Sequence, residues 1–433
     1  MIWNRWYAFK SYILSALWLA PLIAIALSQL TFWGSRALGL DFGLIPGYAF
    51  TPEGAVSAMD VSITATLSYI VFAFGSLLVA IQVSSAQLTP RIIATTLLRD
   101  NVIRSIVGVF VYGLLIAVAV KNRMDAVPRF MISLAAIWGL VSTVAFLILI
   151  DYAARLLRPV TICWLVGERG LKVIRSIYPH PIDKQGRSTQ ARQELGPADR
   201  IVEHRGTSAV VLAVNLEALI AEAQRADGII EFVPRVGDFV AVGEPLLLLR
   251  GGAAAIPDRK LRGQVAFGSE RTIEQDSTFA LRIIVDIAIK ALSKAINDPT
   301  TAVVAIDQLH RLLRAAGKRH LHDDTVFDQA GRLRMIFRTP DWDDFVQLAH
   351  SEIRLYGAEN FQIARRLRAM TENLIQTLPE HRHPALRREL DLLDRAVGTL
   401  YAFPEDVALA RIADTQGLGG ASGANSAPPS LMA

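Results

Sequence analysis

The sequence predicts a membrane α-helical domain of four transmembrane helices, followed by a cytoplasmic α+β region with a small β-barrel-like module and a mainly helical C-terminal part. Three observations carry this expectation. The chain of 433 residues is 52% hydrophobic and only 20% charged, and its mean hydropathy is +0.34, too apolar for two or three ordinary soluble domains. Runs of roughly 20 nearly uncharged residues, the length that spans a bilayer, fall only in its first third. Beyond them the pattern changes to short β-branched runs and then to amphipathic helices.

The transmembrane domain is expected over residues 1–158. Its first apolar run, Ser11 to Trp33, follows Arg5 and Lys10 among Trp3, Trp6 and Tyr7. A signal peptide has a shorter apolar region and a small-residue cleavage site, so this run reads as an uncleaved anchor. Further spans are expected at about 62–82, 106–120 and 130–150. Four spans put both ends of the chain on one side. Lys and Arg near the span ends set the orientation: Arg5, Lys10, Arg91, Arg99, Arg104, Arg155 and Arg158 on the proposed inner side, against Arg36, Lys121, Arg123 and Arg129 outside. The expected location is the bacterial inner (plasma) membrane, multi-pass, with cytoplasmic N- and C-termini.

The second span carries Asp60, Thr64 and Ser68 at a spacing of four, then Gly75, Ser76 and Gln82 near the same side. Small and hydroxyl residues in lipid either allow close helix packing or line water, and both readings stand. Only an oligomer turns such a stripe into a pore wall, because four spans make a thin channel body. The segment "SSAQLTPRIIATTLLRDN" that follows is amphipathic enough to lie along the membrane interface, as a surface anchor or as a coupling element.

A formal charge of +5 raises nucleic acid as a partner, but the basic residues are interleaved with acids, as in "RRELDLLDR". That is a solvated helix face, and no nucleic-acid partner is expected. A single cysteine, Cys163, excludes an internal disulfide and a multi-cysteine metal site. Residues 159–200 read as a helical exit and a polar linker, with Pro159 ending or kinking the helix that leaves the membrane. Residues 201–268 read as a β-rich module. It contains "TSAVVLAV", a helix capped by Asn215, and "RVGDFVAVGEPL", which is similar to the turn-rich half of a lipoyl or biotinyl type barrel. No modifiable lysine lies in that stretch, so no cofactor is expected. Residues 269–411 read as mainly helical, with a strand pair around "TVFDQAGRLRMIFRT" and a helix capped by Asp341. The tail, 412–433, is low in complexity and expected to be disordered.

Within the helical region, Arg282, Asp286 and Lys290 form a narrow polar stripe on an otherwise apolar helix, which suggests burial in the core or in a subunit interface. The break at Asn297, Asp298 and Pro299 reads as a helix-to-helix joint. Asn297 suits the left-handed conformation that ends one helix; Asp298 and Pro299 suit the cap and first position of the next. "GSERTIEQD" gathers Glu270, Arg271, Glu274 and Asp276 ahead of the apolar helix, and Arg271 suits a structural ion pair or an anionic ligand. "KRHLHDD" places His320 and His322 beside two aspartates, and His381 and His383 lie close together, all weak metal-site patterns, so no metal is expected.

"FGSERTIEQDSTFALRIIVDIAIKALSKAINDPTTAVVAIDQL", together with "SSAQLTPR" and "RVGDFVAVGEPL", resembles the bacterial predicted membrane proteins grouped as domain of unknown function 2254. The resemblance runs from the first span to about Ala402 and implies a membrane protein, with no activity attached. No phosphate-cradling glycine loop, nucleophile elbow or zinc-protease helix occurs, so an enzyme reading has no nucleophile or base to name. The functional expectation is a self-associating, channel-like assembly for ions or small solutes with a cytoplasmic regulatory domain. The alternative is a membrane-anchored sensor or scaffold that binds a small ligand or a protein.

Overall fold

The computed structural model of the chain describes residues 3–15, 19–40, 52–87, 101–122, 129–156, 158–182, 195–321 and 325–420. The chain divides into two compact units, one of Ser11–Ala86 with Pro90–Ile162, the other of Cys163–Ala433 with Met1–Lys10 and Gln87–Thr89.

The first unit is built from apolar helices: α2 (Leu19–Ala37), α3 (Pro52–Gln87), α4 (Asn101–Lys121) and α5 (Arg129–Leu156), with α1 (Trp3–Ser15) leading in from the N-terminal side. Three stretches are long and apolar enough to cross a membrane: Glu53–Val79, Asn101–Lys121 and Arg129–Arg155. The run expected as a first span is divided between α1 and α2, with residues 16–18 outside the described residues, and α2 is not among the three. α2 packs on α4, where the Thr31 and Tyr112 hydroxyls lie 2.9 Å apart and Phe32 joins Met59, Ile116 and Met131 in one apolar cluster. α4 packs on α5 through Trp138, whose indole N–H donates to the Val109 carbonyl at 3.0 Å. The ring lies over Gly113, where any side chain would run into it. α3 meets the others through aromatic rings, Tyr69 stacking on Phe146 with centroids 4.2 Å apart. Leu67, Val71, Phe74, Leu78, Leu140 and Leu147 stay exposed on this unit, as suits a surface covered by lipid rather than water.

The chain passes into the second unit along α6 (Pro159–Ile177), whose proline occupies the first helical turn after α5 has ended at Leu156. Then follow β1 (Arg200–Glu203), β2 (Ala209–Val214), α7 (Leu216–Arg225), β3 (Gly228–Phe232), β4 (Phe239–Val240), β5 (Pro245–Gly251), α8 (Asp258–Arg262) and β6 (Val265–Gly268). The C-terminal part adds α9 (Phe279–Ala291), α10 (Pro299–Gly317), β7 (Thr325–Phe327), β8 (Leu333–Phe337), α11 (Trp342–Gly357), α12 (Phe361–Thr377), α13 (His383–Leu400) and α14 (Pro404–Ala410).

The barrel-like module expected over residues 201–268 does not close. Its strands enter two open sheets, one ordered β1-β5-β3-β8-β7 and the other β4-β2-β6. The reason lies in β3, whose outer edge pairs in parallel with β8, Ile230 opposite Met335 and Phe232 opposite Phe337. A strand from the C-terminal part thus takes the edge that barrel closure would need, and β4 pairs with β2 instead. α7 covers the larger sheet, and Leu219, Ala223, Ile230, Leu247, Leu249 and Met335 form its core.

α9 is buried almost all round, and its neighbours α10 and α11 belong to the same chain. Gly170 of α6 lies against Ala280 and Leu312, closing a further side. The apolar helix therefore needs no second subunit to cover it. α11 starts in a capping box between Asp341 and Asp344, and its His350 is buried, with Nδ1 at 2.9 Å from the Val346 carbonyl and Nε2 at 3.0 Å from the Thr371 hydroxyl. Burial pushes that imidazole down to about 4 and holds it neutral.

Residues 412–420, expected within a disordered tail, are tied to α12 instead, whereas 421–433 lie outside the described residues. The buried Arg365 donates to the carbonyls of Ile412, Gly419 and Gly420 at 2.9, 3.0 and 2.8 Å. Asp414 accepts from the backbone amides of Gln416, Gly417 and Gly419, which coils the segment on itself. Low complexity hid this because the partners are backbone atoms, which glycine supplies as well as any residue.

Candidate functional site

At the carboxyl ends of β3 and β8 lies a cavity of about 480 Å³, within the second unit. The parallel register sets Phe232 beside Phe337 at its floor, and the chain beyond each strand supplies Arg235 and Arg338. Openings beyond the carboxyl ends of parallel strands are where ligands of open α/β sheets commonly sit. The loop before α9 crosses this region and contributes Glu274 and Asp276; the N-terminal helix contributes Trp3.

Asp276 is the most constrained of these groups. It is 4% exposed, and its Oδ1 accepts from the Thr278 amide at 3.0 Å, the Thr278 hydroxyl at 2.7 Å and the Phe279 amide at 3.0 Å. Those bonds satisfy the first amides of α9. Its other oxygen, Oδ2, is buried with no hydrogen-bond partner among the described residues. Burial raises the carboxyl above the usual range, partly offset by the Thr278 hydroxyl and the nearby Arg271 guanidinium. A buried acceptor without a donor costs roughly 1–3 kcal/mol, so it is not a neutral packing detail.

The surroundings hold this arrangement. Arg271 Nε donates to the Gly237 carbonyl at 2.5 Å. Gly237, at φ +95, turns the chain between β3 and β4 and donates its own N–H to Val211 at 2.8 Å. The Tyr7 hydroxyl donates to Glu274, and the Asn4 N–H donates to the Gly263 carbonyl at 3.1 Å, seating α1 against the unit. Tyr178, fully buried, has its hydroxyl 3.4 Å from that of Ser277.

The residues singled out in the sequence are dispersed. Asp60 pairs with Lys121. Thr64 and Ser68 are exposed, and the Ser68 hydroxyl donates to the Thr64 carbonyl at 3.0 Å. Gly75 and Gln82 are also exposed, and half-buried Ser76 donates to the Ala73 carbonyl at 3.0 Å. The inward polar column of α3 is Ser62, Thr66 and Tyr69, which with Gly139 and Thr143 of α5 lines a groove of about 560 Å³. That column, spaced four and then three, runs on the same helix beside the Asp60, Thr64 and Ser68 line that stands out in the sequence. "SSAQLTPRIIATTLLRDN" lies largely outside the described residues, with Arg91 and Arg99.

The Arg282 stripe faces α11 of its own chain. Arg282 Nε donates to Asp286 at 2.8 Å and Nη2 to Glu352 at 3.0 Å, while Lys290 is half-buried. Glu352, unremarked in the sequence, is held below its ordinary carboxylate value chiefly by the Arg282 hydrogen bond. At the joint, Asn297 has φ +48, Asp298 Oδ1 accepts from the Thr301 amide at 3.1 Å, and Pro299 opens α10. The three residues satisfy local backbone groups and do not line the cavity. Among the described residues no three His, Cys, Asp or Glu side chains gather as metal ligands, and His322 lies outside them. Cys163 is buried, its thiol pushed up to about 12 by burial, which leaves it protonated and unreactive.

Apolar helices of membrane-crossing length, joined in one chain to a folded α+β unit with a polar and aromatic cavity, define a multi-pass membrane protein with an extramembrane domain. The chain belongs to the family described as "Predicted membrane protein (DUF2254)", which matches residues 11–373. Similar proteins include an uncharacterised protein of Mycobacterium bovis and another of Mycobacterium tuberculosis, each 26% identical over 431 residues, covering 94% of this chain and 81% of the relative. No solved structure matches the chain.

Gly237→Ala tests how tightly the site is built. A Cβ there meets Asp276 Oδ2 and comes 3.1 Å from Arg271 Nε, on a backbone with φ +95. The expected loss is about 1–3 kcal/mol, read as a lower melting temperature of the purified protein in detergent; an unchanged melting temperature contradicts this account of the turn.

Proposed function

We propose that this protein is an inner-membrane sensor: a four-span anchor with both chain ends cytoplasmic, whose cytoplasmic unit binds a small ligand in the cavity at the ends of β3 and β8. The observation that carries the reading is the cavity itself, of ligand size, at the carboxyl ends of parallel strands and lined by Trp3, Phe232, Phe337, Glu274 and the buried Asp276. Trp3 supports the sensing part, because it lines the same cavity and stands on the helix that leads into the first apolar run.

The sidedness has its own support. Asn4 and Tyr7 bond to Gly263 and Glu274, which supports a reading in which the N-terminal segment and the α+β unit share one side. Three crossings would separate them, and an even number is needed; the apolar run through α2 supplies the fourth. The Lys and Arg distribution favours the cytoplasm for that side. Alkaline phosphatase, active only outside the inner membrane, is expected to be active when inserted between residues 41 and 51 and silent when fused after Ala433. The reverse pattern sinks the topology.

For ligand binding, a small-molecule extract of the source cells should raise the melting temperature of the full-length protein in detergent. Trp3→Ala and Asp276→Asn should abolish the rise; no rise with folded wild-type protein removes the sensor reading.

A second reading, a homo-oligomeric assembly passing ions or small solutes, is favoured by the outward column of Asp60, Thr64 and Ser68 on α3, of which Thr64 and Ser68 stay exposed among the described residues while Asp60 pairs with Lys121. Reconstituted protein should then conduct in planar bilayers, with conductance altered in Thr64→Leu or Ser68→Leu. Silence from an intact oligomer argues against it.

A further inference from the structure

We infer that the outward face of α1 docks on a bilayer surface carrying anionic phospholipid headgroups. The inference stands whether or not the cavity takes a ligand.

α1 has two faces. Trp3 and Tyr7, four apart, share the inner one and stack with ring centroids 5.3 Å apart. Trp3 lines the cavity, and the Tyr7 hydroxyl donates to Glu274. At about 100° per residue, the outer arc reads Arg5, Phe9, Trp6 and Lys10 in order round the helix, and all four are exposed. Trp6 is 46% and Phe9 55% exposed. Two large aromatic surfaces thus face outward with a cation at each edge. Lys10 Nζ lies 5.1 Å from the centre of the Trp6 ring, and neither Arg5 nor Lys10 forms an ion pair among the described residues.

Charge and continuity name the partner. The chain has no acidic residue before Asp41, so the arc carries positive charge alone. Aromatic rings flanked by cations suit a helix lying in the headgroup layer, its rings at the acyl boundary and its cations at the phosphates. Ser11, the residue after Lys10, opens the first apolar run, which brings lipid to the end of this face. α6, which follows the spanning helix α5, repeats the pattern. Its Trp164 is 53% exposed, Lys172 and Arg175 are exposed, and its single acid, Glu168, is bound to Arg311. Ser176 and Ile177 at the end of α6 line the cavity together with Trp3. The helix that meets the lipid surface with one face therefore builds the cavity wall with the other.

The test places a nitroxide on Phe9→Cys in the full-length protein, where the label takes the place of the phenyl ring and the buried Cys163 stays unlabelled. The protein is reconstituted in nanodiscs of phosphatidylcholine, alone or mixed with phosphatidylglycerol, and spin relaxation by oxygen and by a water-soluble nickel complex reports whether the label faces lipid or water. In anionic discs the label is expected at the headgroup-to-acyl boundary, and in neutral discs in water. Each cation near an anionic surface contributes about fivefold to the docking equilibrium, so Arg5→Gln with Lys10→Gln should shift it about 25-fold toward water. Salt at about 1 M should do the same with both cations in place, a readout that does not depend on how the double variant folds. Arg387→Gln with Arg395→Gln, exposed on α13, removes equal charge elsewhere and should leave the depth unchanged. A label equally deep in neutral discs removes the role of headgroup charge, and one in water in both kinds of disc removes the docking. A label moved by inorganic phosphate in neutral discs assigns the arc to a free anion. Each of these overturns the inference, as does a double variant that keeps its depth.

Discussion

The parallel pairing of β3 with β8 is the constraint on which the α+β unit depends. Parallel neighbours cannot be joined by a tight turn, so a long crossover must leave the end of one strand and return to the start of the other. Here that crossover carries β4, β5, β6, α9 and α10. On its way it draws the loop bearing Glu274 and Asp276 across the strand ends, where the cavity forms. The register matters as much as the pairing. A slip of one residue would turn Phe232 and Phe337 to opposite faces of the sheet and remove the floor they share.

The two units satisfy their polar atoms in different ways. In the helices of the first unit, several hydroxyls bond within one turn, Ser28 to Ile25, Ser68 to Thr64, Ser133 to Arg129 and Thr143 to Gly139, beside the interhelical pairs Thr31–Tyr112 and Tyr69–Thr143. A side chain that closes on its own helix asks nothing of its surroundings, which is what lipid requires. In the α+β unit the polar links join distant elements. Arg311 reaches Glu168, Arg366 reaches Asp307, and Arg334 bridges Asp227 and Asp328. That unit is cross-braced by charge, with Asp276 Oδ2 among the buried side-chain atoms it leaves unpartnered.

Much of the local structure was legible in the sequence because its causes are local. Asn215, Asp341 and the strand pair near residue 330 declare themselves through capping and turn chemistry. Three of the apolar runs are helices of spanning length for the same reason, since length and composition decide it. What escaped were pairings between distant segments. Nothing near Ile230 announces Met335 as its neighbour, so the β-rich stretch read as a closing barrel. The Arg282 stripe gave a correct impression of a polar line on an apolar helix, but its partner Glu352 lies on α11, and no periodicity connects them. The cavity was half visible: the acidic cluster before α9 stood out, while Trp3, Phe232 and Phe337 looked like ordinary aromatic residues until the fold gathered them.

The attachment of residues 412–420 to Arg365 bears on the order in which the unit can be completed during synthesis. The guanidinium sits in the core at 0% exposure and is held by carbonyls made only after every helix of the unit. Until those residues emerge from the ribosome, the Arg365 guanidinium on α12 lacks the carbonyls that accept from it. Residues 412–420 thus act as the closing stitch, and removing them for crystallisation or expression would take away a core component rather than a loose end.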